Sequence, residues 1–382
     1  MDILQVPPRY YPSIGGVEKH VHHLSHKLSE YGCNITVFTS NVPGTKSFEI
    51  ADGIRIRRFN TIGNPLRNPI NPTMLIALMK KVGQFDIVHA HSEYHFSTLL
   101  CSITKVTQKF PFVITNHGQL SFGDCRKDAL VKMYRKIAIR RVYNKADAII
   151  ALSPSDRKYL LSLGINSEKV SVIPNAIDPS KVKHFHYEEH TTLAHKLKLD
   201  GKRIVLFVGP IVERKGVSTL IHAIPQIVQD NHDTLFVLTG EGSFKRKANS
   251  LARSLKVEEH VHFTGFLPEK ELYNMYELSD VFVLPSLSEG VPTTILEALA
   301  FSKPVISTRI PGVKDYFSDV CYLVSPKDVD ELAFAINRLL EDEKLARHLG
   351  EAGRRLVERE FTWDAVAKSI FELYEKVLAT QV

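Results

Sequence analysis

Short apolar runs alternate with helical patterns from one end of the chain to the other. Several runs are almost continuously apolar, which is typical of parallel strands that are buried on both faces. The predicted strands of the first half are Ile3–Val6, Asn34–Thr39, Ile54–Phe59, Phe85–His89, Phe112–Asn116, Ala148–Leu152 and Val170–Ile173. Those of the second half are Arg203–Val208, Thr234–Leu238, Val261–Phe263, Val281–Leu284 and Pro304–Ser307. A first helix is predicted from the helical spacing of Val17, Val21, Leu24 and Leu28, with Gly32 as its end.

The alternation restarts after a polar segment at about residues 180–202, which we interpret as a linker. The 382 residues also exceed what one hydrophobic core usually holds. The pattern therefore predicts two Rossmann-like, doubly wound α/β domains, residues 1–180 and 181–363. Ligands of such sheets bind at the carboxyl ends of the strands, so two of them facing each other would hold a ligand in a central cleft.

Composition excludes several classes of protein. Hydrophobic residues make up 44% and charged residues 24%, as in ordinary globular proteins. The four cysteines are scattered without a C-x-x-C pair, which argues against a zinc site or a disulfide framework and favours the cytoplasm. The first residues lack the features of a signal peptide, and no apolar run approaches about 18 residues.

Charge is uneven along the chain. Residues 1–180 hold 23 Lys and Arg against 13 Asp and Glu, a net charge of +10, whereas the rest carries −3. The first half is therefore expected to meet an anionic partner. The basic amphipathic segment Arg126–Lys145 could lie on an anionic membrane surface, peripherally at its inner face, or could be a core-facing helix with a solvated back. Nucleic acid is not expected, because no binding motif accompanies the charge.

Two loops of the first half carry candidate chemistry. Gly15 and Gly16 follow the first strand and open a helix, where close backbone approach and free N–H groups favour an anion, although a plain turn would look the same. The loop lacks the G-x-G-x-x-G pattern of nicotinamide enzymes. His117 follows the strand Phe112–Asn116 and is either a structural histidine or a cleft residue.

Other histidines are weaker candidates. His20, His22, His23 and His26 lie on the first helix, but no carboxylate or cysteine accompanies them, so we interpret them as a solvated face and predict no metal. A further group at the end of the strand Phe85–His89 could line the side of the cleft that the first half forms: His89, His91 and His95, with Glu93 and Tyr94.

The second half contains two stronger motifs. Arg214 and Lys215 lie between a strand and a helix, where they could clamp a diphosphate or form a solvated basic turn. Glu289 precedes a close-approach loop of Gly290, Val291, Pro292 and Thr293, and Glu297 follows inside the next helix. The two carboxylates are not an adjacent acid pair, so we expect each to accept hydrogen bonds from different hydroxyl groups.

The order and spacing of these motifs resemble the retaining family 4 glycosyltransferases of GT-B fold, also called glycosyltransferase group 1, over essentially the whole chain. The matching pieces are Gly15-Gly16, His117-Gly118, the Ile-Pro-Asn-Ala-Ile-Asp run at 173–178, Arg214-Lys215-Gly216, Thr-Gly-Glu-Gly at 239–242, Phe-Thr-Gly-Phe at 263–266, and Glu289 with Glu297 seven residues further on. The basic motif and the run at 173–178 also resemble those of enzymes that transfer N-acetylglucosamine to phosphatidylinositol-type acceptors.

The resemblance implies an enzyme that moves a sugar from a UDP- or GDP-sugar donor to a lipid-linked or glycan acceptor, with retention, without a metal and without a cofactor. Arg214 and Lys215 would then clamp the phosphates. Glu289 and the amides of Gly290 to Thr293 would hold the transferred sugar, and Glu297 would bind the ribose. Gly265 and Phe266 would contact the base, His117 the 6-position of the sugar and Gly16 the phosphates. Gly15, Gly209 and Gly240 would also contact the donor.

Two features bear on that resemblance. Many relatives carry an arginine directly after Gly209, where this chain has Pro210, so Arg214 would supply the missing cation. The last helix, at 364–382, is expected to pack back on the first domain. Two other functions stay open on the sequence, a nucleotide-sugar epimerase of the same architecture and a non-catalytic subunit that binds sugar nucleotides.

Overall fold

The computed structural model describes residues 1–65, 68–117, 140–183, 197, 199 and 201–380. These residues form two compact units. The first consists of 1–117, 140–176 and 363–380, and the second of 177–183, 197, 199 and 201–362. Each unit contains one sheet with helices on its faces.

The sheet of the first unit has eight strands among the described residues, in the order β3-β4-β2-β1-β5-β6-β7-β8. The strands are β1 Asp2–Val6, β2 Asn34–Ser40, β3 Phe48–Ala51, β4 Ile54–Phe59, β5 Ile87–His91, β6 Phe112–Asn116, β7 Ala148–Ala151 and β8 Val170–Val172. Neighbouring strands are parallel, except that β3 is antiparallel to β4. The helices are α1 Gly16–Glu30, α2 Thr73–Lys81, α3 Phe96–Thr107, α4 Arg140–Lys145, α5 Pro154–Ser162 and, at the end of the described chain, α14 Trp363–Ala379.

Helices cover both faces of the central strands of this sheet. Successive strand side chains point to opposite faces, so Ile3 joins one hydrophobic cluster and Leu4 the other. The cluster of Leu4 also contains buried side chains of α2, α3, α4 and α5. The cluster of Ile3 contains Val21, Leu24 and Leu28 of α1 together with one side of α14. Helix α14 is thus part of the core of the first unit.

Hydrogen bonds connect α14 to the middle of the sheet. The Tyr374 hydroxyl is 2.6 Å from His89 Nδ1 and accepts from Gln5 Nε2 at 3.4 Å. Because that hydroxyl accepts from Gln5, its own proton is free to go to His89 Nδ1, and His89 Nε2–H then donates to Thr115 Oγ1 at 2.7 Å. Burial lowers the pKa of His89 to about 3, so its ring is neutral at pH 7.

The second unit contains a parallel sheet of six strands among the described residues, in the order β11-β10-β9-β12-β13-β14. The strands are β9 Arg203–Val208, β10 Thr234–Thr239, β11 Val261–Gly265, β12 Val281–Leu284, β13 Val305–Thr308 and β14 Tyr322–Val324. The helices are α6 Ser180–Lys183, α7 Val217–Asp230, α8 Lys245–Ser254, α9 Glu269–Leu278, α10 Thr293–Ala300, α11 Pro311–Phe317, α12 Val329–Glu341 and α13 Glu343–Glu360.

Glycines allow α13 to pack tightly against the end of α10. A Cβ on Gly350 would overlap the carbonyl oxygen of Ser302, and a Cβ on Gly353 would overlap the Leu299 side chain. Hydrogen bonds from Ser302 and Lys303 to the end of α10 hold that backbone in place. The contact therefore leaves no room for a side chain at Gly350.

The predicted strands are all present, with small differences at their ends. The largest difference is β5, which begins and ends two residues later than predicted. Two strands were not predicted: β3, which is largely exposed, and β14, which has three residues. The first helix begins at Gly16, and Gly32 beyond its end has a left-handed φ of 78°.

Most of the basic segment and of the linker lie outside the described residues. Of Arg126–Lys145 the structure describes 140–145, where Val142 and Tyr143 face the core and the basic side chains are exposed. None of the described helices combines the length and apolar content that crossing a bilayer requires.

Gly350→Ala is expected to destabilise the second unit. An alanine in an open helical position would stabilise the helix by up to about 1 kcal/mol. The overlap with Ser302 should reverse that sign and lower the free energy of unfolding by about 1–3 kcal/mol. Urea unfolding followed by circular dichroism measures the difference. His348→Ala, at an exposed position of the same helix, is the control and should stay within about 0.5 kcal/mol. A stabilised Gly350→Ala would contradict the tight contact.

Acid is expected to destabilise the first unit through its buried histidines. Burial lowers the pKa of five of its histidines: His20 to about 4, His89 and His95 to about 3, and His91 and His117 well below their ordinary value. Below about pH 6.5 the unfolded chain binds protons that the folded unit does not. Stability is therefore full above pH 6.5 and falls as the pH drops from there toward 4.

The measurement is urea unfolding between pH 7 and 4.5, followed by the fluorescence of Trp363, the single tryptophan, which lies in the first unit. Each histidine that binds a proton only in the unfolded chain adds about 1.4 kcal/mol per pH unit to the dependence of the unfolding free energy on pH. His89→Gln should reduce the slope by one such share, whereas His232→Gln, at an exposed position of the second unit, should not. A stability that is constant from pH 7 to 5 would contradict this prediction.

Candidate active site

Lys215 and Glu289 form a buried ion pair in the second unit. Lys215 lies in a single 3-10 turn, Glu213–Lys215, between β9 and α7. Gly216 ends that turn with a left-handed φ of 71°, and a Cβ there would overlap the carbonyl oxygen of Pro285. The close approach brings Lys215 Nζ to 2.5 Å from Glu289 Oε1. About a tenth of each side chain is exposed.

Arg214 contacts the same carboxylate. Its Nη1 atom is 3.5 Å from Glu289 Oε1 and donates to the carbonyl oxygen of Ser288 at 2.6 Å. Burial alone would raise the pKa of Glu289, but the charges of Lys215 and Arg214 and a hydrogen bond from Lys215 bring it below its ordinary value. Glu289 is therefore ionised at neutral pH, and two cations surround one buried carboxylate.

The loop after Glu289 is shaped by another close backbone contact. A Cβ on Gly312 would overlap the carbonyl oxygen of Gly290. Val291 is buried, Pro292 is the N-cap of α10, and Thr293 is its first residue. The amides at this helix start and the helix dipole favour a negatively charged ligand.

Glu297 has a partner that the sequence did not suggest. Its carboxylate accepts a hydrogen bond from the Tyr276 hydroxyl at 2.7 Å. Tyr276 is fully buried and stacks on Phe301, with 5.5 Å between the ring centroids. Burial and the nearby Glu297 raise the pKa of Tyr276, so the hydroxyl keeps its proton and orients the carboxylate.

Three of the expected donor-binding glycines meet at the carboxyl ends of adjacent strands. Gly209, Gly240 and Gly265 follow or end β9, β10 and β11, and all have positive φ. Gly240 donates to the Gly265 carbonyl oxygen at 2.8 Å, and Gly209 donates to the Thr239 carbonyl oxygen at 3.0 Å. A Cβ on Gly240 would overlap the Gly209 carbonyl oxygen. Phe266, directly after Gly265, is 62% exposed.

The first unit carries the remaining expected residues. Gly15 is the N-cap of α1, and a Cβ on it would overlap the Glu18 carboxylate. Gly16 begins the helix, and apart from its chain neighbours and the helix backbone no atom of the described residues lies within 4 Å of where its Cβ would be. The space beside Gly16 is thus open to a ligand, whereas the space beside Gly15 is occupied by Glu18.

His117 follows β6 and is held by a chain of side chains. The Gln5 oxygen is 2.7 Å from His91 Nε2, so His91 carries its proton there and its Nδ1 accepts from His117 Nε2 at 3.1 Å. Burial lowers the pKa of both rings, so both are neutral at pH 7. His117 therefore keeps Nδ1 as an unprotonated acceptor.

The first helix corrects one interpretation from the sequence. His20 is buried and its ring contacts His117 and Trp363, so it does not belong to a solvated face. One nitrogen each of His20, His91 and His117 lies within 4.8 Å of the others. A metal ion could be held there only if the hydrogen bond between His91 and His117 were given up.

His89 and His91 are also fully buried and hydrogen-bonded, so they do not line an open surface. Gln5, Tyr276 and Tyr374 were missed as orienting residues. Each forms its contact across a long separation in sequence, and no local pattern marks it.

Two family models match the sequence of this chain. Residues 14–181 match Glycosyltransferase Family 4, and residues 190–356 match Glycosyl transferases group 1. One similar protein is the MMP alpha-(1->4)-mannosyltransferase of Mycolicibacterium hassiacum, 26% identical over 96% of this chain and 95% of that protein. Another is a component of human phosphatidylinositol N-acetylglucosaminyltransferase, 23% identical over 98% of this chain and 76% of that protein.

The fold is also shared with solved structures. The Anabaena protein HepE, in complex with UDP and glucose, superposes with a TM-score of 0.81 at 18% identity, over 98% of this chain and 100% of that one. The two parallel-sheet units and this likeness confirm the GT-B fold. The two family models together cover most of the sequence, and the chain belongs to the family 4 (group 1) glycosyltransferases.

Proposed function

We propose that this glycosyltransferase moves a sugar from a nucleoside diphosphate donor, a UDP- or GDP-sugar, to a lipid-linked or glycan acceptor. The observation that carries the proposal is the buried carboxylate of Glu289 between Lys215 and Arg214. Two cations against one carboxylate leave one positive charge for an anionic ligand. A pair held this rigidly does not need to reorganise when charge develops on the leaving group.

The two cations have complementary geometry for a diphosphate. Arg214 offers a planar fork of donors, and Lys215 offers a compact point charge. When the bond to the sugar breaks, negative charge builds up on the phosphate oxygens, and this pair stabilises it. Glu289 then has two proposed roles, since it fixes the cations and its oxygens can accept hydrogen bonds from sugar hydroxyls.

The other donor contacts that we propose lie in the second unit. Glu297, oriented by Tyr276, is proposed to accept hydrogen bonds from the ribose hydroxyls. The amides from Gly290 to Thr293 are proposed to hold the transferred sugar. The backbone of Gly265 and Phe266 is proposed to bind the base beside Gly209 and Gly240. The structure of HepE with UDP and glucose supports a donor of this class.

For the first unit we propose donor contacts at Gly16 and His117, and at Gly15 through its backbone alone, because Glu18 occupies the space beside it. The space beside Gly16, which is open among the described residues, suits a phosphate, and the unprotonated Nδ1 of neutral His117 suits a sugar hydroxyl. The similarity to the component of phosphatidylinositol N-acetylglucosaminyltransferase supports an acceptor on a lipid. We place the enzyme in the cytoplasm, peripherally at the inner face of the membrane, which the basic first half supports.

We propose retention of the anomeric configuration, without a metal, by a front-face route. In this route a phosphate oxygen of the donor takes the proton of the acceptor hydroxyl as the new bond forms. Arg214 and Lys215 supply the positive charge that another enzyme would take from a metal ion. An epimerase would need acid and base groups around the sugar, and a non-catalytic subunit would not need the Lys215–Glu289 pair.

A donor screen tests the function. The protein is incubated with UDP- and GDP-sugars and with lipid and glycan acceptors, and release of nucleotide is followed. We expect release with one donor class, a product of retained configuration by NMR, and full activity in EDTA. An inverted product or loss of activity in EDTA would refute the mechanism. A sugar altered at one carbon without transfer would indicate an epimerase. Absence of release with every donor would refute the transferase function.

Lys215→Ala is expected to reduce kcat by about 10²–10³-fold, because it removes one of the two cations that stabilise the leaving group. Lys215→Arg keeps the charge and should recover part of the activity. Lys344→Ala, at an exposed position of the same unit, is the control and should leave kcat unchanged. Circular dichroism checks that the variants fold. A folded Lys215→Ala with normal turnover would remove Lys215 from the mechanism.

A further inference from the structure

We infer that the first unit carries a second functional surface, a docking face for an anionic phospholipid bilayer. It lies on the side of the sheet that α2 and α3 cover. The face consists of the exposed sides of α2 and α3 and a groove beside α2. This assignment names a surface for the peripheral membrane location proposed above. It does not depend on the proposed donor chemistry, since it concerns other residues and needs no substrate.

The apolar part of the face comes from two packed helices. The inward sides of α2 and α3 belong to one hydrophobic cluster, including Met74, Leu78 and Leu100. Their outward sides are apolar as well, although solvent covers them. The exposed fractions are 57% for Ile76 and 46% for Met79 on α2, and 45% for Ile103 and 65% for Val106 on α3. Isolated exposed aliphatic residues are ordinary, but four on two adjacent helices mark an interaction surface.

A hydrogen bond joins α2 and α3 at one end of their two apolar stripes, Ile76 with Met79 and Ile103 with Val106. Gln108, directly after α3, donates from Nε2 to the carbonyl oxygen of Met79 at 2.6 Å. The carboxyl ends of both helices therefore lie side by side. Lys80 and Lys81 end α2, and Lys109 follows α3, so three exposed ammonium groups lie at this end of the apolar stripes.

The groove beside α2 adds further positive charge. Its volume is about 730 Å³, and it is lined by residues of β2, β4 and α2. In β4 the isoleucines Ile54 and Ile56 belong to the cluster on the opposite face of the sheet. Arg55 and Arg57 alternate with them and line the groove together with Lys81. β4 lies next to the edge strand β3, and this side of β4 carries arginines instead of the apolar residues that a covering helix would require.

Acidic groups are few around this face. The sequence from 53 to 85 and from 94 to 111 contains no Asp or Glu. Asp2 is the one acid among the described residues that line the groove, and it accepts a hydrogen bond from Asn34. Arg58 also lines the groove, but it is paired with Glu49 and adds no free charge. Lys105 of α3 is paired with Asp147 and therefore adds no free charge. The surface is thus basic and apolar at once.

This combination favours a bilayer over other anionic partners. Aliphatic side chains enter the boundary between headgroups and acyl chains, while Lys and Arg contact acidic headgroups. Nucleic acid would use the cations but would leave the four aliphatic residues in water. The occupant we assign is therefore the surface of a bilayer that contains acidic lipids.

The test is flotation of the full chain with vesicles of phosphatidylcholine, with or without 30% phosphatidylserine, and without donor. We expect binding to the acidic vesicles that weakens with salt. Replacing Lys80, Lys81 and Lys109 by Gln should weaken binding by about 10²-fold. Ile76→Ser with Val106→Ser should weaken it by about tenfold or more.

Matched controls come from the second unit. Replacing Lys247, Lys314 and Lys344 by Gln removes the same charge, and Phe334→Ser removes an aromatic side chain that is 63% exposed. Neither control should change binding. Urea unfolding followed by Trp363 fluorescence checks that the face variants fold. Met79→Trp should add fluorescence that brominated lipid quenches, whereas the fluorescence that Phe334→Trp adds should not be quenched.

Three results would overturn the docking face. They are absence of binding to acidic vesicles, equal losses in the face variants and the control variants, and tighter binding to duplex RNA or DNA than to the vesicles. The segment 118–139 is present in every variant, so a contribution from it cannot produce a difference between face and control. Because no donor is present, failure here leaves the proposed sugar transfer untouched, and failure of the donor screen leaves the docking face untouched.

Discussion

A parallel sheet has apolar side chains on both faces, and each face must be covered for the sheet to be stable in water. In the first unit this requirement recruits a helix from far along the sequence, since α1 shares its face of the sheet with α14. The same covering positions Tyr374 over His89, next to the Gln5 and His91 side chains that hold His117. The orientation of a candidate site residue thus follows from the way the core is closed.

In the second unit close contacts between backbone segments position the side chains of the candidate site. Gly216, Gly240 and Gly312 each stand where a Cβ would overlap a carbonyl oxygen of a neighbouring loop. These contacts bring the loops after the strands together and allow a lysine and a glutamate 74 residues apart to form a buried pair. Burying charges is costly unless they are paired, so the pair is stable only while both loops keep their shape. The electrostatics of the site and the packing of its loops are therefore coupled.

The strands and the family were accessible from the sequence because apolar runs and motif order are local properties. β3 was not, because its side chains are mostly exposed and give no apolar signal. β5 was misplaced by two residues because polar histidines continue it, and their burial depends on Tyr374 and Gln5. For the same reason His20 looked solvated, and Tyr276 could not be connected with Glu297. What the sequence could not supply were contacts between residues far apart in the chain.

The membership of α14 in the first unit has a consequence for synthesis on the ribosome. The strands of that unit leave the ribosome early, but one side of their sheet gains its last cover when residues after 363 have been made. The second unit is complete before then and can fold first, in contrast to the usual N-terminal-first order. Until the ribosome reaches that helix, the buried surface around Ile3, Val113 and Ile150 has no complete cover. That nascent surface is apolar, and a ribosome that stalls within the second unit would prolong its exposure to water.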